Sequence, residues 1–476
     1  MAENTQVKQL FQDALSGKID RREVFKRGAA LGLSGSVVGM LALSAMPTGL
    51  RRAMAAEEGK PIGNAQPWML NLHPSLRRVG ESLGIGIEEA PTVDFSFDRF
   101  IAEANEKTST WDFYAGVTPF LEMIGLATTG TIEPWTPYLP AGLQEDLAPA
   151  TVAEGTYNGE FYVWPLLLDI NVMMWNSGIL EKAGLNTETA PATWDDQIAA
   201  AQQIVDSKAA PYGIVFDVRD WRSLIPVTHS ISTDVYDPET GLFQYTSDAA
   251  VEALEILKRM MPLTIPDVLN PTPVNTTVSP DEQAFAAEQV GYYFKYQNAG
   301  FQFSANWPDP SLIGLGALPK TPDGVGGTVF WDTGAVLLTY GANKAKAVEY
   351  MQTIAADEQM WRESITGNPD EGTVPVGQLP ILQSLWAQWQ TSPPDFIAAN
   401  PWTRSVFDSL GNASAIAPNT LGVLQFNTAR TEWIKYLSGE EADARTAMQK
   451  AQDAARAVYD QNVTTTATPA AATPTS

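Results

Sequence analysis

The stretch from residue 157 to residue 196 limits most strongly what this 476-residue chain can fold into. Tyr157, Asn158 and Gly159 form a turn signal, and residues 160–165 read as a short strand stopped by Pro165, which has no N–H for a ladder. An apolar strand follows over residues 166–176, interrupted only by Asp169 and Asn171 before it ends at Asn176. Residues 179–185 then read as a helix. Thr193, with Asp196 three residues on, opens another. The same alternation starts earlier. Residues 68–72 read as a strand, 74–83 as a helix closed by Gly84, 85–87 as a strand, 95–104 as a helix and 111–117 as a strand. Strands alternating with helices predict an α/β fold on a parallel sheet.

Further elements continue the pattern. Residues 212–216 form a strand, and 247–261 an amphipathic helix stopped by Pro262. Ser279, Pro280 and Glu282 give a complete helix start that leads to a strand over 290–294. Residues 335–340 read as a strand, and 344–356, 421–436 and 440–459 as helices. The last stretch, 463–476, is Thr, Ala and Pro apart from Val463 and the final Ser476, a composition that buries nothing and predicts disorder.

The N-terminus carries an export pattern. Arg21-Arg22 precede an uncharged, Gly- and Ala-rich segment over residues 28–50, and Ala53-Met54-Ala55 supplies a cleavage site. This resembles a twin-arginine signal peptide over residues 1–55, the competing reading being a membrane anchor. The mature protein is expected in the periplasm or at the cell surface, tethered if the signal stays uncleaved.

Composition removes several function classes. A net charge of −25 argues against nucleic acid or an anionic membrane as partner. The absence of cysteine excludes disulfides, thiolate metal sites and cysteine nucleophiles. His73 and His229 are the only histidines, and the motifs of zinc proteases, serine hydrolases and P-loops are missing from the mature chain. No cofactor and no metal is expected. Tyr292-Tyr293 reads as strand packing rather than a ferric site. What the chain has in quantity is aromatics, with 14 Trp, 14 Tyr and 18 Phe. Rings can cover the apolar face of a ligand, while carboxylates and amides hold its polar groups.

The Tyr-Asn-Gly turn, Pro165, the strand ending in Asn176, Leu180-Glu181-Lys182-Ala183-Gly184-Leu185, and Pro191 followed by Thr193-Trp194-Asp195-Asp196 together resemble a known family. That family is the extracellular solute-binding proteins of ABC importers, family 1, and within it the maltose-binding-protein-like sugar binders. Ala284-Phe285, the Gly-rich strand before residue 344 and the C-terminal helices match more weakly, so the likeness spans about residues 66–460. It implies a two-lobe α/β fold with a ligand cleft between the lobes. The first lobe would take 56–168 and 319–365, and the second 169–318 and 366–462. It also implies a monomer that binds a sugar or oligosaccharide and delivers it to the membrane subunits of an ABC permease. A polyamine, a glycerol phosphate and a secreted glycoside-active enzyme are the alternatives. By the same resemblance the ligand-binding residues are Asp169, Trp331, Asp332, Tyr114, Trp221 and Phe426, while Trp68, Trp175 and Trp194 pack in the core. Arg219 falls where relatives place a carboxylate and Asn298 where they place an aromatic. Residues 166–169 would form the hinge.

Overall fold

The computed structural model describes residues 62–90, 97–270 and 278–466. The expected signal over 1–55 and most of the C-terminal tail lie outside the described residues. Among the described residues twelve strands run in chain order. They are β1 (Ile62–Ala65), β2 (Gly86–Glu89), β3 (Phe113–Val117), β4 (Ile132–Glu133), β5 (Thr156–Tyr157), β6 (Glu160–Phe161), β7 (Val163–Asn176), β8 (Tyr212–Phe216), β9 (Val290–Tyr296), β10 (Ile313–Gly316), β11 (Thr328–Leu338) and β12 (Ala413–Ala415). The main sheet has the order β2-β1-β3-β11-β7-β9-β8, with β10 beside β7, and β4 and β12 beside β11.

This sheet is mixed, which corrects the parallel expectation. The pairs β1–β2, β1–β3, β8–β9 and β11–β12 are parallel, whereas β3–β11, β11–β7, β7–β9 and β7–β10 are antiparallel. The two long strands at its centre cause the reversal. β7 is a single strand of 14 residues that runs straight through Pro165. Pro165 is tolerated because its partner is Gly334, where the β11 register shifts, and a bulge does not need the missing N–H. Gly334 is required there, since a Cβ would lie 2.3 Å from the Trp164 carbonyl oxygen. Through Ile170, β7 pairs with β11, and from Asn171 onward it pairs with β9 and β10. One strand therefore belongs to two halves of the sheet, and the change falls beside Asp169.

Residues 68–72 are not a strand. Pro67 at the first helical position fixes φ for a short helix, Pro67–Leu72, and β1 precedes it. The other helices follow their signals closely. Gly84 closes Ser75–Leu83 in a left-handed conformation. Thr193 caps Trp194–Asp206, Ser247 caps Asp248–Met260, and Ser279 with Glu282 forms a capping box on Pro280–Ala286. The last helix, Ala444–Thr466, continues past residue 463. Trp175 and Trp194 are fully buried, as expected, and Trp68 packs partly buried against the same core. Among the described residues no helix is long and apolar enough to cross a membrane.

Candidate functional site

Asp169 sits on β7 opposite Trp331 of β11, just before β7 changes partners. Asp169 as a residue is 5% exposed. Gln297, which opens the helix after β9, donates from Nε2 to Asp169 Oδ1 at 3.2 Å. Gln378, from far along the chain, donates from Nε2 to both carboxylate oxygens at 3.4 and 3.3 Å. These contacts are long, so lone pairs of the carboxylate remain for a further donor. Burial pushes Asp169 up to about 7, and the two carboxamides and the charge of Arg222 oppose that rise only in part.

Arg222 lies in the turn after β8, with its guanidinium 5.4 Å from the Trp221 ring and 5.2 Å from the Tyr296 ring. Its Nε is 3.7 Å from Asp217, and its buried Nε and Nη1 make no hydrogen bond. Trp221 packs 5.7 Å from Phe426, and Phe426 stands 5.9 Å from Phe120. The side chains of Asn171 and Asn298 also end in buried atoms without hydrogen-bond partners. Asn171 pairs with Tyr296 across the ladder, and Asn298 adjoins Gln297. Carboxylate, guanidinium, amides and aromatic rings therefore converge where β7 passes between β11 and β9.

A buried ion network braces this region from below. Lys295 Nζ bonds Glu282 Oε1 at 2.6 Å and Asp281 Oδ2 at 2.8 Å, and lies 3.5 Å from Asp217. Arg219, read by resemblance as standing in a carboxylate's place, grips Asp217 through its guanidinium. Burial favours a neutral Asp217, but Arg219, Lys295 and Arg222 outweigh it and hold the carboxylate well below its usual range. Tyr293 donates to Asp281 at 2.7 Å, which confirms a packing role for the Tyr292-Tyr293 pair.

The six residues singled out from sequence are not all assembled together. Asp169 and Trp221 meet through Arg222, and Phe426 joins them through Trp221. Trp331 occupies the position in register with Asp169. Asp332 pairs with Leu168, so its position falls on the other face of the sheet. There Glu154 Oε2 accepts from the Asp332 N–H at 3.1 Å. Both carboxyls are pushed well up, Glu154 by burial and by the charge of Asp332, and Asp332 by burial. Tyr114 is packed in a separate aromatic cluster, 5.1 Å from Phe100 and 5.6 Å from Phe97, with its hydroxyl accepting from Gln66 at 2.6 Å. Sequence reasoning missed Gln297, Gln378, His73 and Arg222. The Gln297 position, directly after a strand, was a usable signal. Nothing local marks Gln378.

Among the described residues no group of three or more His, Cys, Asp or Glu side chains could hold a metal ion. Two solved structures share the architecture. One is the cyclic alpha-maltosyl-1,6-maltose binding protein from Arthrobacter globiformis, with TM-score 0.67 and 18% identity over 84% of this chain and 99% of that one. The other is the sugar-binding protein MalE from Xanthomonas citri, with TM-score 0.68 and 15% identity over 86% of this chain and 100% of that one. This likeness establishes the two-lobe α/β fold. A binding protein of Brucella abortus (strain 2308) is 23% identical over 307 residues, covering 61% of this chain and 70% of that protein. An ABC transporter-binding protein of Deinococcus radiodurans is 22% identical over 302 residues, covering 61% of this chain and 66% of that protein. The sequence model of the bacterial extracellular solute-binding proteins matches residues 108–361, more than half of the chain, and this protein belongs to that family.

Proposed function

We propose that this protein binds a sugar or oligosaccharide in the cleft between its lobes and delivers it, without chemical change, to an ABC permease. The observation that carries this reading is the Asp169 site. A buried carboxylate keeps lone pairs available beside Arg222, whose buried Nε and Nη1 make no hydrogen bond, and the Trp221 and Phe426 rings adjoin them. A hydroxyl can donate to Asp169 and accept from Arg222 at once, and an aromatic face covers the C–H surface of a pyranose. The two structural neighbours, each a sugar-binding protein, support it. Asp332 and Tyr114 enter this proposal only as supports of the cleft, since each is engaged elsewhere.

The lobe division expected from sequence fits the switch of β7 between sheet halves at residues 170–171. That division gave residues 366–462 to the second lobe, but the contacts of Gln378 with His73 and Ser364 support counting the stretch around it with the first. Closure would bend β7 and β11, and ligand contacts from both sides would supply the differential affinity. Arg21-Arg22 supports export of the folded protein by the twin-arginine route.

Calorimetric titration with a panel of mono- and oligosaccharides, a polyamine and glycerol phosphate tests the assignment. Sugar binding with no release of new reducing ends is expected. Binding of only the polyamine or glycerol phosphate, or turnover of the sugar, would overturn it.

A further inference from the structure

The two carboxamides that hold Asp169 have their oxygens already occupied. Gln297 Oε1 accepts from the Ile170 N–H at 2.6 Å, which leaves its NH2 for the Leu168 carbonyl oxygen and Asp169. Gln378 Oε1 lies 2.6 Å from His73 Nε2. A carboxamide facing a carboxylate presents its NH2, so its oxygen must face His73, and the imidazole must carry its proton on Nε2. The other ring nitrogen agrees, because His73 Nδ1 is buried and makes no hydrogen bond.

The backbone of Gln378 is already fixed. Ser364 Oγ donates to the Gln378 carbonyl oxygen at 2.9 Å, and the Ser364 carbonyl oxygen accepts from the N–H groups of Val376 and Gly377 at 2.6 and 2.8 Å. What remains to be set is which end of the side-chain amide points at Asp169. Gln378 and His73 are both buried.

We propose that His73 is a positioning residue for the binding carboxylate: its Nε2–H fixes the Gln378 carboxamide so that Gln378 donates to Asp169. Without that N–H, a half-turn of the amide would put Oε1 against the carboxylate and turn an attraction into a repulsion. Burial keeps the imidazole neutral, lowering it to about 4, against the raising influence of Gln378 and of Glu363. Glu363 is itself bonded to Arg78 at 2.7 Å and to Ser75 at 3.1 Å. Arg222 is the charged group that acts on Asp169 directly. The functional meaning of this relay rests on the ligand role of Asp169, but its geometry can be tested without any ligand.

The test is the 13C titration of the Asp169 carboxyl in the unliganded protein, assigned by its loss in Asp169→Asn. Gln378→Met removes one donor and should raise the midpoint by about one pH unit. His73→Phe should raise it at least as far, and His73→Gln, which keeps an N–H near Nε2, should return it toward wild type. An unchanged midpoint in folded His73→Phe would overturn the proposal. The 15N shifts of the wild-type imidazole give a reading that needs no variant, and a proton on Nδ1 instead of Nε2 would overturn it too. Failure of the sugar assignment would leave both readouts intact.

Discussion

Asp169→Asn should make the unliganded protein more stable at pH 8 and leave that gain smaller at pH 5. Asp169 titrates near 3.8 in an unfolded chain and about 7 in the fold. Because the folded value is the higher one, the native state keeps a proton that the unfolded chain has released between about pH 4 and 7. The contribution of this group to stability is therefore largest in acid and falls as pH rises through that window. A shift of about three units corresponds to about 4 kcal/mol at pH 8. That figure is already net of the hydrogen bonds the two glutamines give the ionised carboxylate, so what offsets it in the asparagine is its own NH2 facing that of Gln378, a mismatch worth about 1–3 kcal/mol. The net gain at pH 8 should be about 1–3 kcal/mol, and it should shrink by about 2–3 kcal/mol at pH 5. Urea unfolding of both proteins at the two pH values measures this directly. Burial also raises Glu122 to about 8 and Asp220 to about 7, but those terms cancel in the difference between the two proteins. A gain identical at pH 5 and pH 8 would refute the argument that burial raises the Asp169 carboxyl in the folded protein.

Lys295→Met leaves Asp281, Glu282 and Asp217 facing one another without their shared cation, and should cost about 3–5 kcal/mol in chemical unfolding. Small-angle scattering should give a smaller radius of gyration with saturating sugar than without, and an unchanged value would contradict bending of β7 and β11. Changing Arg21 and Arg22 together to Lys should leave precursor in the cytoplasm, read by fractionation, and undiminished export would contradict the twin-arginine route.

Most of the fold was legible because its signals are local. The caps Thr193, Ser247 and Ser279, the left-handed Gly84 and the apolar run of β7 each specify an element within a few residues. Pairing is not local. The antiparallel joins of β11 to β3 and β7 connect segments more than 150 residues apart, so strand–helix alternation alone pointed to a parallel sheet. Pro165 misled for the same reason, since whether its missing N–H matters depends on Gly334 across the ladder. The site divides likewise. A charge in an apolar strand made Asp169 conspicuous, and the ladder then gave Trp331 its place opposite. Asp332 was also conspicuous, yet alternation along β11 puts it on the other face, where Glu154 answers it. Gln378 carries no pattern of its own, and only the fold brings it to Asp169 across 209 residues.

The central claim is that Asp169 holds the bound solute, and calorimetric titration of wild type against Asp169→Asn tests it most directly. The ligand is the tightest-binding oligosaccharide of the panel, titrated at pH 8, where wild-type Asp169 is ionised. Affinity should fall by about 1.5–3 kcal/mol, roughly ten- to a hundredfold or more, with the variant fully folded. Equal affinity of the two proteins for the sugar would contradict it.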